Sequence, residues 1–428
     1  MGELYRVSAA ALTGPVVVNV PGSKSVANRA LICASLADGE SRLSGLPDGD
    51  DTTVIVESLE QVNRLTRDGD AVVVRGNSQA SLPGIVDAKL AGTSSRFLTA
   101  VAALIDSTTV IDGGESLRGR PMGDLHEALI GLGANIEWLG HQGHLPVAIS
   151  RGSLVGGEIS IRGDVSSQFI SALMLIGPLL DGGLVLRIVG DLVSRSYVEM
   201  TASVMRSFGA SVEISESDVC VSQGTYRATE YRVEPDFSSA AFPLVVPVMT
   251  PSSVRVPGLA KGVLQGDAAL LDILRSVGCS VTVESDDIVV ETTAETALRS
   301  INISMTDCSD LVPAVAVALS CVEGESRISG VGFIRQKESD RLGDLAAEMT
   351  MCGAEVQVDE DGLTIRGHRS ISESRVQTHH DHRLAMALSL YALHNGYVEI
   401  EDADVVTKSW PSFFDDMKAI LVTSDQQN

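Results

Sequence analysis

Aromatic side chains are scarce in this chain, at 4% of 428 residues with two tryptophans. A sequence so poor in large rings is not organised around an aromatic-lined groove. Its 40 glycines and frequent alanines suit tightly packed helices and sheets instead. Cysteine is sparse as well. The six thiols (Cys33, Cys220, Cys279, Cys308, Cys321 and Cys352) are scattered and form no CxxC pair. That excludes a structural zinc cluster and a disulfide framework, and it fits a reducing compartment. Long apolar runs are missing too. None approaches the roughly 18 residues that span a bilayer, and the stretch around Leu311 to Leu319 is far shorter. The opening residues Met1 to Arg6 show neither the basic and apolar regions of a signal peptide nor the Ser or Thr at position 6 of a myristoylation pattern. The expectation is a soluble, cytoplasmic protein.

Basic residues are in short supply. Lys and Arg number 32 against 56 Asp and Glu, a net charge of −24. A surface this acidic repels nucleic acid and anionic membrane, so neither is expected as a partner. An anionic small molecule would have to be captured by cations concentrated locally. The chain is also too long for one core, and with 44% hydrophobic and 21% charged residues it reads as an ordinary globular protein of two or more domains.

What is present is a repeat. Six polar clusters, each leading into an Ala/Leu-rich helical stretch, begin at Ser23, Thr93, Ser166, Ser238, Asp310 and Asp381, at intervals of 70 to 73 residues. A second helix closes on glycine and runs into an alternating segment at Leu132-Gly-Ala-Asn-Ile136, Phe208-Gly-Ala-Ser-Val212, Val277-Gly-Cys-Ser-Val281 and Cys352-Gly-Ala-Glu-Val356. The glycine predicts a left-handed helix stop and the alternation a strand. Each unit reads helix, strand, helix, strand, with extra strands between. Units of this length exceed solenoid repeats, so compact domains are expected. Six units suggest two domains of three, divided around Val233-Glu-Pro-Asp236, where Pro and Asp interrupt the pattern.

The helix starts carry the chemistry. A helix N-terminus presents unpaired N–H groups and the positive end of the dipole, a natural seat for phosphate or carboxylate. In Pro21-Gly-Ser-Lys-Ser-Val-Ala-Asn-Arg29, Gly22 permits a tight turn, Ser23 and Ser25 offer hydroxyls, and Lys24 and Arg29 add charge. It is not a Walker A loop, since Ser23 rather than Gly precedes Lys24. Taken alone it reads either as an anion seat or as a solvated cap. Ala91-Gly-Thr-Ser-Ser-Arg96 repeats the arrangement, with Gly92 letting a ligand near the backbone. Arg120 precedes Pro121, a residue suited to a helix's first position. Asp164-Val-Ser-Ser-Gln168 is a hydroxyl and amide cluster suited to a polyol, and Lys337-Glu-Ser-Asp-Arg341 is ambiguous alone, since charge runs usually coat a helix face. His379-His-Asp-His-Arg383 offers imidazoles two apart at a helix start but no third ligand set, so no metal is expected.

In this order and spacing, the PGSKSxxxR run at Pro21, AGTxxR at Ala91, RPM at Arg120, SSQ at Ser166, KExDR at Lys337 and DHRLAM at Asp381 resemble the 5-enolpyruvylshikimate-3-phosphate synthase family. The resemblance covers essentially the whole chain. It implies an α/β fold of two domains, each of three βαβαββ units around a pseudo-threefold axis: the inverse α/β barrel of the enolpyruvyl transferases. Residues 22–236 would form the N-terminal domain, inserted into a C-terminal domain of 1–21 and 237–428, with the active site in the interdomain cleft. The implied reaction moves the enolpyruvyl group of phosphoenolpyruvate to the 5-hydroxyl of shikimate 3-phosphate and releases phosphate, a step of aromatic amino-acid biosynthesis. It needs no cofactor, and the enzyme is taken as a monomer whose partners are these two small anions.

Carried over by position, the resemblance gives shikimate 3-phosphate to Lys24, Ser25, Arg29, Ser166, Ser167, Gln168, Ser194, Tyr197, Asp310 and Lys337. It gives phosphoenolpyruvate to Lys24, Gly92, Thr93, Arg120, Gln168, Arg341, His382, Arg383 and Lys408. The catalytic set would be Asp310 as base, Glu338 or Lys408 as acid, and Lys24 as shuttle. Leu90, Phe97 and Phe333 depart from the family's frequent Asn, Pro and Asn, leaving fewer polar contacts at the substrate edges. Two alternatives stay open here. One is the enolpyruvyl transferase acting on UDP-N-acetylglucosamine, which typically reads Lys-Asn at Lys24-Ser25 and carries a reactive Cys near Ser116. No cysteine lies between Cys33 and Cys220. The other is a non-catalytic anion-binding relative, against which Asp310, Glu338 and Lys408 argue.

Overall fold

The computed structural model describes residues 4–12, 14–260, 264–367 and 375–425; part of the N-terminal segment read for targeting, Met1 to Glu3, lies outside them. The chain divides into two compact units, Gly22–Val233 and Met1–Pro21 with Glu234–Asn428. Each unit holds three small sheets; five of the six join one parallel pair to two antiparallel pairs, and the sheet around Ala37–Ser44 has a second parallel pair. In the sheet of Ile85–Asp87, Thr109–Asp112, Val147–Ser150 and Asn135–Trp138, for example, the first pair is parallel and the others antiparallel. No sheet among the described residues closes on itself. The two parallel strands flank a helix and the second helix precedes the antiparallel pair, which makes each unit βαβαββ.

The repeat is not contiguous everywhere. Val16–Val17 pairs with Ser253–Val256, and Tyr226–Arg227 and Glu230–Arg232 both pair with Ala37–Ser44. Leu4–Ala9 lies between Tyr397–Glu401 and Leu421–Asp425, completing the last sheet of the chain with its first strand.

Six lead helices begin within a residue or two of the polar clusters: Lys24–Leu36, Gly92–Ala102, Ser167–Ile176, Phe237–Leu244, Val312–Leu319 and His382–Ser389. Their residues are buried almost all round, as small and apolar side chains without a polar face require. Leu31 and Ile32 are fully covered, and each contributes about 2 kcal/mol of burial. The second helices stop where Gly133, Gly209, Gly278 and Gly353 take φ of 100°, 87°, 118° and 90°. These left-handed values make glycine the natural stop. Several of the scarce aromatics serve packing. Trp410 and Phe413 meet edge to face at 5.2 Å, and Phe242 meets Phe413 at 6.0 Å. No helix among the described residues is long and apolar enough to cross a membrane.

Candidate functional site

In the unit Gly22–Val233 the lead helices start behind Ser23, Ala91 and Ser166, and none has an acid in its first turn. The first N–H groups of each therefore face no carboxylate of their own. Gly22 is needed for a close approach rather than a tight turn, because a Cβ there would lie 1.8 Å from the Gly45 carbonyl oxygen. Lys24 opens its helix and pairs with the buried carboxylate of Asp51 at 2.8 Å. Asn28 ties three helices together: it donates to Ser94 Oγ at 3.2 Å and accepts from Thr52 Oγ1 at 3.1 Å.

Arg29, foreseen as a substrate contact, is only 1% exposed. Its guanidinium donates to Thr201 Oγ1 at 2.7 Å, Ser171 Oγ at 3.1 Å, and the carbonyls of Ser25 at 2.8 Å and Tyr197 at 3.3 Å. Burial lowers its proton affinity to about 10, with Tyr197 and Cys33 opposing. The guanidinium also lies over the rings of Phe97 and Tyr197, at 5.2 and 5.9 Å. Phe97, where the family often has Pro, thus packs beneath this buried cation. Arg29 fixes Ser25 and Tyr197 from behind.

Gly92 begins its helix with Thr93 buried beside it. A Cβ on Gly92 would sit 2.6 Å from Arg120 Nη1 and 3.2 Å from Arg96 Nη1, so glycine here lets two guanidiniums converge on the helix start. Arg96 is anchored on the Gly92 carbonyl at 2.9 Å. Pro121 is not the first residue of a helix; the helix Gly123–Gly131 starts two residues later, behind Met122. Ser166 caps Ser167–Ile176, its Oγ accepting from Gln168 N at 3.3 Å. Ser194 holds a left-handed φ of 54° ahead of Arg195–Ser207, the helix that carries Tyr197. Asp164 of the hydroxyl cluster forms a two-point pair with Arg162.

The other unit starts its helices on acids. Asp236 caps Phe237–Leu244, accepting from Ser238 N at 3.1 Å. Asp381 caps His382–Ser389, accepting from Arg383 N at 2.9 Å. Asp310 lies in the 3-10 turn Ser309–Leu311 before Val312–Leu319. Residues 337–341 coat no helix face; they link the turn Gly332–Gln336 to the helix Gly343–Met351.

These segments meet at Arg341, which is 1% exposed. It donates through Nε to Asp381 at 2.8 Å, through Nη1 to Asp310 at 3.1 Å and through Nη2 to Glu338 at 2.5 Å. Burial alone would lower its proton affinity, but Asp381, Glu338 and Asp310 outweigh burial and raise it. Arg383 donates to the other Asp310 oxygen at 3.0 Å, and buried Lys408 to Glu338 at 2.9 Å. Lys337 stands 4.0 Å from Asp310 with its ammonium 6.0 Å from the Phe333 ring centre. His382 is buried in the first turn, Nδ1 3.8 Å from Asp381. The structure thus brings Asp310, Lys337, Glu338, Arg341, Arg383 and Lys408 into one network. Such a network holds two carboxylates in defined orientation beside cations able to clamp phosphate or carboxylate. Among the described residues no metal-ligand cluster of His, Cys, Asp and Glu is found.

The sequence reading missed Asp51, the partner of Lys24, and Asp381, the partner of Arg341. Signals existed for both. Asp50 and Asp51 open a helix with two acids, and Asp381 immediately precedes a helix start.

A family model described as EPSP synthase (3-phosphoshikimate 1-carboxyvinyltransferase) matches residues 8–417. The 3-phosphoshikimate 1-carboxyvinyltransferase of Methanosphaera stadtmanae is 36% identical over 415 residues, covering 94% of this chain and 96% of that one. The protein of the same name from Yersinia ruckeri is 37% identical over 417 residues, covering 95% and 96%. Among solved structures, EPSP synthase from Acinetobacter baumannii superimposes with a TM-score of 0.84 at 24% identity, covering 99% of this chain and 100% of that one. The enolpyruvyl transferase NikO from Streptomyces tendae gives 0.77 at 19% identity with full coverage of both. At these identities the structural likeness is one of fold.

Proposed function

The chain belongs to the EPSP synthase family, and on that premise we propose that it transfers the enolpyruvyl group of phosphoenolpyruvate to the 5-hydroxyl of shikimate 3-phosphate. The observation that carries the residue roles is the network around Arg341, where Asp310 and Glu338 are each held by two cations within hydrogen-bond reach. Asp310 takes the proton of the 5-hydroxyl as its oxygen bonds to C2 of phosphoenolpyruvate. Glu338, or Lys408 through it, delivers a proton to C3. The resulting tetrahedral adduct loses a C3 proton and expels phosphate, leaving the enol ether.

Arg120, Arg341 and Arg383 clamp the phosphoenolpyruvate anion with paired N–H donors that a lysine does not reproduce, joined by Gln168, His382 and Lys408. Lys24 and the helix start at Gly92 and Thr93 stabilise the departing phosphate. Ser166, Ser167, Gln168 and Ser194 grip shikimate 3-phosphate, with Ser25, Tyr197 and Lys337 at its ring. Arg29 supports Ser25 and Tyr197.

The test is phosphate release from purified protein given both substrates. Release should require both, with one phosphate formed per enolpyruvyl product. Release with UDP-N-acetylglucosamine in place of shikimate 3-phosphate, and none with the latter, would overturn the substrate assignment.

A further inference from the structure

Within the electrostatic reach of Asp310 and Arg383 is a carboxyl for which the reaction scheme has no use. Asp267 belongs to the short 3-10 helix Gly266–Ala269 and is 4% exposed. One oxygen accepts the hydroxyl of Ser238 from the start of Phe237–Leu244. The other, Oδ1, is buried with no hydrogen-bond partner among the described residues. A carboxylate left half-satisfied away from water is costly to ionise.

Its surroundings bear on that cost from three elements. The charges that act on it are Asp236 at the start of Phe237–Leu244, Asp310 in the turn before Val312–Leu319, and Arg383 in His382–Ser389, and its own charge acts on the Cys308 thiol. Arg383 is the cation of this set, and it already donates to Asp310. Burial first, then the charge of Asp310, push the Asp267 carboxyl up to about 7, against the smaller pull of Ser238 and Arg383.

We propose that Asp267 is a positioning residue that sets the charge felt by Asp310. As a neutral acid it leaves Arg383 committed to Asp310. As a carboxylate it competes for Arg383 and places a negative charge beside Asp310, making Asp310 a stronger acceptor for the substrate hydroxyl proton. The sign follows from Coulomb's law: the arginines stabilise the Asp310 carboxylate and weaken it as a base, and a nearby anion acts the opposite way. This rests on reading Asp310 as the base.

The experiment is the pH dependence of kcat and kcat/KM in the parent, Asp267→Asn, Ser238→Ala and Asp310→Asn, each checked for folding by thermal melting. The parent should show a step in kcat near neutrality. Asp267→Asn should erase the step and lower kcat about tenfold at its alkaline side, with KM for both substrates nearly unchanged. Ser238→Ala removes a donor that favours the ionised form, so the step should move upward, by up to about one pH unit. If Asp267→Asn does not fold, the direction of the Ser238→Ala shift decides alone. A folded Asp267→Asn with the parent's profile, or a Ser238→Ala step that stays in place or moves down, overturns the proposal. Full turnover in Asp310→Asn overturns the underlying assignment of the base, a failure visible separately.

Discussion

The two units begin their lead helices on opposite chemistry. In Gly22–Val233 the residues ahead of the helices are Ser23, Ala91 and Ser166, with no acid in any first turn. In the other unit Asp236 and Asp381 are the caps and Asp310 occupies the turn before Val312–Leu319. A helix N-terminus carries roughly half a positive charge. The first unit leaves that charge, with hydroxyls around it, for a ligand. The second fills it with its own carboxylates, and those carboxylates then fix Arg341 and Arg383. On the proposed reading one unit serves as an anion-binding platform, and the other as a charge-balanced cluster whose carboxylates move protons.

The largest expected effect comes from breaking the balanced cluster. Arg341→Met strands Asp381, Asp310 and Glu338 without their shared partner, and removal of one member of a buried ion network costs about 3–5 kcal/mol. Urea unfolding should show a loss of that order along with loss of turnover. A stability change under about 1 kcal/mol would mean that the carboxylates do not depend on Arg341.

A swap of chemistry between the units sharpens the contrast. Asp caps a helix about as well as Ser, so Ser166→Asp should leave thermal stability nearly unchanged. Its new charge would meet the phosphate that the helix start is proposed to bind. Shikimate 3-phosphate affinity, measured calorimetrically, should fall about a hundredfold. Unchanged affinity would remove Ser166 from the phosphate site.

Gly92→Ala is a smaller perturbation. Its Cβ would displace the Arg120 guanidinium from 2.6 Å, raising KM for phosphoenolpyruvate about tenfold while kcat moves less. A rise confined to shikimate 3-phosphate would reassign Arg120. The mildest effect is that of salt. Screening relieves the self-repulsion of a chain with net charge −24 and should raise the melting temperature. The same salt should raise KM for both anions, because it screens the cations that capture them. A KM that stays flat or falls as salt rises would contradict local capture.

The positions of these helix starts were legible in the sequence, although the contrast between the two units was not. The polar clusters and glycine stops are local signals, and both appear at the helix ends they foretold. The strand partners were not legible, because a two-residue strand such as Val16–Val17 has no periodicity and pairs more than 230 residues away. In the site, the cations stood out as polar residues at helix starts. Their anchors did not. Asp51 and Asp381 carry only the local mark of acids at helix starts, Asp267 carries none, and their tertiary partners are what set all three apart from surface charge. Arg29 shows the converse. Its motif marks it as a ligand contact, while its hydrogen bonds to Thr201 and Ser171 place it in the packing between helices.

The division into a binding platform and a proton-moving cluster is tested most directly by Asp310→Asn. The side chain keeps its size, and the platform of Ser166, Ser167 and Lys24 is untouched. Calorimetric titration with shikimate 3-phosphate and single-turnover kinetics should be run on the same folded preparation. The account predicts an affinity within about threefold of the parent and a turnover at least a thousandfold lower. Near-normal turnover, or binding lost together with turnover, would contradict it.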